Sequence, residues 1–116
     1  MRKEEEFTFK ILIKREADAW VAHCLELGLV AVAPTVKQTE ADMFDIIAAH
    51  VRYAIENNNL EHMYHPAPPE VWREFFDCDD RERSSHRPLQ DLPDDYPGIV
   101  PVIQAGKCYY GRARHA

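Results

Sequence analysis

Phe7, Phe9, Ile11 and Ile13 recur at every second position, with Thr8, Lys10, Leu12 and Lys14 between them. Successive side chains of an extended chain point to opposite faces, so this period of two predicts a strand with one face set in a core. After the polar run Lys14–Ala19, the stretch from Trp20 to Leu27 resumes an extended, mostly apolar pattern, which predicts an antiparallel hairpin. Gly28 interrupts it. The short run Leu29–Ala33, "LVAVA", is continuous, apolar and partly β-branched, and is expected to form a third strand covered on both sides.

Pro34 closes that strand. Thr35 and Gln38 have the T-x-x-Q form of a capping box, in which side chains satisfy the orphan N–H groups of a helix start. From there Val36, Met43, Phe44, Ile47, Val51, Ala54 and Ile55 recur at helical spacing, and Asn57-Asn58-Asn59 offers a left-handed C-cap. One apolar stripe of this length needs a sheet to lie on. The fold class that follows is α+β: a β-β-β-α core with one long helix packed on a small antiparallel sheet, plus a short aromatic helix and a C-terminal edge strand or hairpin. Residues 1–65 are expected to form the core. Residues 66–77 hold Pro66, Pro68 and Pro69, then a short helix carrying Trp72, Phe75 and Phe76. Residues 78–96, poor in apolar side chains, read as a mobile linker. Residues 97–116 supply a last strand or small hairpin, whose first half Pro101 should confine to an edge, and a basic tail of Arg112, Arg114 and His115.

Composition narrows the function. A chain of 116 residues with 46% apolar content suits one domain. Its net charge of -6 opposes binding to a phosphate backbone, so nucleic-acid recognition by this chain alone is not expected. "MRKEEEFTF" has no apolar signal core, and no apolar run reaches the roughly 18 residues that cross a bilayer. Cys24, Cys78 and Cys108 are odd in number and lack C-x-x-C spacing, which argues against a disulfide framework or zinc knuckle and for the cytoplasm.

Candidate chemistry is sparse. His23 and Cys24 are neighbours on a strand and so point to opposite faces, which prevents a nucleophile–base pair; Cys24 is expected under the helix and His23 on the other side. His62 and His65 have an i, i+3 spacing, but two imidazoles do not make a metal site. The acidic runs at Glu4–Glu6, Asp77–Asp80 and Asp94–Asp95 fall in tails and linkers and read as solvated surface. With four glycines there is no phosphate loop, no G-x-S-x-G and no H-E-x-x-H. Neither a catalytic residue, a metal ligand nor a cofactor is assigned.

The run "FTFKILIKREADAWVAHCLELGLVAVAPTVKQTEADMFDIIAAHVRYAI" resembles the HicB family of antitoxin-type proteins. The matching pieces are Asp18-Ala19-Trp20, Cys24-Leu25-Glu26-Leu27-Gly28, and Thr35 before Glu40-Ala41. The resemblance spans residues 5–58. It implies a partial ribonuclease-H-like fold, β-β-β-α-β, without catalytic residues, that binds a small toxin ribonuclease and self-associates. The chain differs in having Ala33-Pro34 where the family often has glycine and aspartate, and in the segment from Pro66 onward. No acid lies between Phe7 and Lys14, where a ribonuclease-H-like site would need one.

The resulting expectation is a non-catalytic interaction module that forms a homodimer and binds a small basic toxin protein. Its candidate interaction surface comprises Lys10, Leu12, Lys14, Trp20, His23, Leu25, Trp72 and Phe76. The alternatives are a diverged metal-dependent hydrolase using His23, His62, His65 and linker acids, and a weak RNA-binding module using Lys10, Lys14 and Arg15 beside Trp20.

Overall fold

In the computed structural model, which describes residues 3–83, 87–88 and 99–110, the alternating stretch lies inside β1, Lys3–Glu16. A two-residue turn at Ala17-Asp18 leads to β2, Ala19–Cys24, antiparallel to β1 with Ile11 opposite Cys24 and Glu16 opposite Ala19. β3, Leu29–Ala33, pairs antiparallel with β2. Then come α1, Val36–Glu56, a single 3-10 turn at Leu60–His62, and α2, Pro69–Asp77. β4, Arg81–Arg83, and β5, Arg87–Pro88, both pair antiparallel with β6, Ile99–Tyr110, which itself runs parallel to β1. The sheet order is β3-β2-β1-β6-β4, with β5 also on β6. The architecture is α+β.

Helix α1 starts where the capping signal placed it. The Thr35 hydroxyl oxygen accepts from the Gln38 N–H at 3.1 Å, while the Gln38 side chain turns forward to Asp42 at 2.7 Å instead of closing the box. Asn58, at φ +50, provides the left-handed residue after the helix. Met43, Ile47 and Val51 are fully buried and meet Phe9, Ile11, Ile13, Ala22 and Cys24 from the sheet. Thr39, buried among them, donates its hydroxyl to the Thr35 carbonyl at 2.7 Å.

The second face of the sheet is closed by α2. Leu12, Leu25 and Cys108 pack there against Ala67, Val71, Phe75 and Cys78. Pro69 opens α2 at a position where its missing N–H costs nothing.

Four expectations are corrected. The sheet is mixed, because β6 joins β1 in parallel, and a parallel partner leaves no hairpin signal to read. From Val102 onward β6 is an interior strand rather than an edge, while Ile99–Pro101 pair with β1 alone among the described residues, the edge position that Pro101 needs. β3 is not covered on both sides: Ala31 and Ala33 are buried, but Val30 and Val32 are 50% and 59% exposed at the sheet's outer edge. Arg81–Arg83 and Arg87–Pro88 fall in the expected linker yet pair with β6, since backbone hydrogen bonds need no apolar side chain; residues 84–86 and 89–96 of that segment, and the basic tail, lie outside the described residues.

Replacing Ile47 by alanine should lower the unfolding free energy by about 2–5 kcal/mol in a urea titration, because the cavity has no room to collapse between helix and sheet. Val32→Ala, at an exposed site, should stay within about 0.5 kcal/mol.

Candidate functional site

The segment Cys24–Gly28 explains itself residue by residue. The side chain of Cys24 is fully buried under α1, and burial pushes its thiol pKa up to about 12, so at neutral pH it carries no thiolate nucleophile. Leu25 is equally buried on the other face; its N–H donates to the Lys10 carbonyl at 2.9 Å and its carbonyl accepts from the Ala67 N–H at 2.8 Å. Glu26 accepts from the Lys10 backbone N–H at 2.8 Å, replacing the ladder partner that β2 gives up after Cys24, and takes the Lys10 ammonium at 3.2 Å. Leu27 returns to the core. Gly28 has φ +67, and a Cβ there would collide with the His65 carbonyl oxygen, so only glycine fits. The motif builds a corner.

His23 answers in the same way. It is half-buried on the face opposite Cys24, so the two side chains do not meet. Desolvation, assisted by the Lys14 charge, moves its pKa below the usual histidine value. Lys14 itself loses solvation, but its hydrogen bonds to Glu74 at 3.2 Å and the ion pair with Glu16 at 3.3 Å outweigh that loss and raise its pKa.

The residues picked out from the sequence therefore separate into three groups. Lys10, Lys14, His23, Trp72 and Phe76 share the α2 side. Leu12 and Leu25 lie on that side too but are fully buried beneath α2, so neither belongs to a surface. Trp20 sits on the opposite face, packed against the core under α1. Among the surface group, the Lys10 ammonium lies 5.7 Å from the centre of the Trp72 ring, and that ring stacks on Phe76 at 6.3 Å. Trp72 spends its indole N–H on the Ala67 carbonyl at 3.1 Å. Phe76 is 58% exposed.

Beside Phe76 runs an open groove of about 570 Å³, floored by Thr8, Gln104 and Gly106. Its arginine is already engaged. Arg81 donates to the carbonyls of Phe75 at 3.2 Å, Phe76 at 3.1 Å and Cys78 at 3.0 Å, closing the C-terminal end of α2, and lies 5.2 Å from the Phe75 ring. Across the sheet, the Tyr109 hydroxyl donates to Glu40, whose carboxylate also meets the Lys107 ammonium at 3.6 Å. No local spacing signals this cluster, because it joins α1 to β6 across 69 residues.

Among the described residues, no three of histidine, cysteine, aspartate and glutamate converge where a metal ion would be held. His62 and His65 are both exposed, one in the 3-10 turn and one beyond it. No buried side-chain oxygen or nitrogen among the described residues lacks a hydrogen-bond partner. No helix among them is long and apolar enough to cross a membrane.

Cys78 and Cys108 form a disulfide, with Cα atoms 6.2 Å apart, that fastens the end of α2 to β6. This corrects the expectation from cysteine spacing, and with it falls the argument from cysteines to a reducing compartment. The two residues are 30 apart in sequence and meet only because α2 folds back over the sheet. Comparison with known proteins returns no matching family model, no matching curated protein and no matching solved structure.

Two outcomes are expected. A thiol titration should find one reactive cysteine, Cys24, in the unfolded unreduced chain and three after reduction; reduction should also cost about 3–4 kcal/mol of stability, the loop-closure value for a 30-residue separation. As for pH, the unfolded state binds a proton at His23 more readily than the folded state does, so stability is lost as pH falls through 6.5 and below. Denaturant titrations from pH 7.5 to 5 should therefore show a steeper loss for the wild type than for His23→Asn.

Proposed function

We propose that the chain is a non-catalytic, HicB-like interaction module that self-associates and binds a small basic protein, an antitoxin-type protein for a toxin ribonuclease. The observation that carries this reading is the state of its chemistry-bearing side chains. Cys24 is buried with a raised pKa, Glu26 caps a backbone N–H, Lys10 and Lys14 are held by carboxylates, and Arg81 closes a helix. Each is spent on architecture. What remains for function is surface, and beside α2 its exposed aromatic is Phe76, stacked on the half-buried Trp72 ring next to an open groove. An exposed aromatic ring flanked by paired charges suits the centre of a protein interface better than a small-molecule pocket, which needs converging free polar groups. The opening order β-β-β-α, with β6 returning to the sheet after α2, also supports a module of this kind. A net charge of -6 favours a basic partner through steering and complementarity.

The test is to read the reading frames adjacent to this one for a small basic protein and to titrate the chain with it by calorimetry; adjacent frames without one count against the toxin partner. A complex should form, and Phe76→Ser should weaken it by at least about tenfold without changing the thermal unfolding midpoint, because Phe76 contributes little to the core. Absence of binding at about 50 µM, or equal affinity of the Phe76→Ser variant, would count against it.

A further inference from the structure

The two outer edges of the sheet are built differently. On one side β4 presents Arg81-Glu82-Arg83, a charged strand of the kind that keeps an edge from pairing. On the other, β3 is Leu29-Val30-Ala31-Val32-Ala33, with neither charge nor proline and with Val30 and Val32 exposed on the α2 side. Among the described residues its outward backbone groups have no strand partner. The helix above continues the apolar character. Each helical residue advances about 100°, so Ile46 and Tyr53 lie on the flank of α1 opposite Lys37, Ala41 and Phe44. Those three line the opening toward β1 and β6. Ile46 and Tyr53, 36% and 64% exposed, therefore lie on the flank of α1 turned toward the β3 side of the sheet.

We propose that β3 is the self-association surface, pairing antiparallel with β3 of a second copy about a two-fold axis at Ala31. This deepens the self-association part of the function proposed above and does not depend on the toxin partner. The sequence selects a second copy as occupant because Val30-Ala31-Val32 reads identically in both directions. Antiparallel pairing about Ala31 sets Val30 against Val32 of the second copy and Val32 against its Val30, on one face, as two cross-strand β-branched pairs. Ala31 and Ala33 keep their places under α1. Gly28 and Pro34 bound the strand, so the ladder is short. Five residues alone bury little against the roughly 1,200–2,000 Å² of a stable interface, and Ile46 and Tyr53 widen the contact over the joined edge. The product is one sheet running through both copies with the charged β4 edges outermost.

Sedimentation velocity on the whole chain, with Val32→Lys and Val30→Lys alongside, tests the proposal. Both sites are exposed in the single chain, so lysine there should leave the fold intact, as far-ultraviolet circular dichroism will check. A wild-type dimer whose dissociation constant rises at least about tenfold in either lysine variant supports the proposal. A wild-type dimer that both variants retain unchanged overturns this surface while leaving self-association standing. A wild-type monomer up to about 100 µM overturns both. If the lysine variants misfold, the double variant Val30→Cys/Val32→Cys decides: on oxidation with diamide it should give a covalent dimer through thiols of facing strands, and failure to cross-link overturns the pairing.

Discussion

The Ile11–Ile13 stretch of strand β1 is enclosed on all four sides, and the remaining elements are arranged around it. β2 pairs with one edge and β6 with the other. Phe7, Phe9, Ile11 and Ile13 face α1, while Leu12 faces α2. Each large apolar side chain removed from water in this way contributes on the order of 1.5–3 kcal/mol, so this short segment concentrates much of the driving force. The parallel partner has a further consequence. Two parallel strands cannot be joined by a tight turn, so the chain must travel from β1 through β2, β3, α1 and α2 before β6 can take its place. That long excursion lays one helix over each face of the sheet.

The same economy accounts for the polar residues. Where β2 leaves β1 after Cys24, the Lys10 backbone would lose its partners; Leu25 and Glu26 supply them. Where α2 ends, Arg81 supplies donors to three carbonyls, and the Cys78–Cys108 disulfide ties that end to β6. Side chains that in another setting would be nucleophiles, bases or phosphate binders thus have structural partners. The exterior differs from face to face: aromatic and charge-paired around α2, aliphatic along β3, charged along β4.

Much of the fold was legible because its signals are local. The period of two in Phe7–Ile13, the Thr35 cap, the helical stripe from Val36 to Ile55, the asparagine stop and the prolines before α2 each report on neighbours within a few residues. What the sequence hid is non-local. β6 beside β1, the disulfide across 30 residues and the Tyr109–Glu40 contact depend on how the chain returns, which no window reveals. Leu29–Ala33 misled for another reason: a continuous apolar run looks the same whether a strand is buried on both faces or is left apolar at an edge. For the surface, the alternation placed Lys10, Lys14 and His23 on one side, but Leu12 and Leu25 are closed off by α2, and Trp20 follows the parity of Ala22 and Cys24 onto the other face.

Amide hydrogen exchange followed by NMR addresses the enclosure of β1 most directly. The account predicts that the slowest exchanging amides will be those of Phe7–Ile13 in β1 and Val102–Tyr109 in β6, together with the buried turns of α1, opening only with global unfolding. Amides of Val102–Tyr109 exchanging as fast as those of an exposed turn would contradict it, since β6 would then not be the partner that closes the second edge of β1.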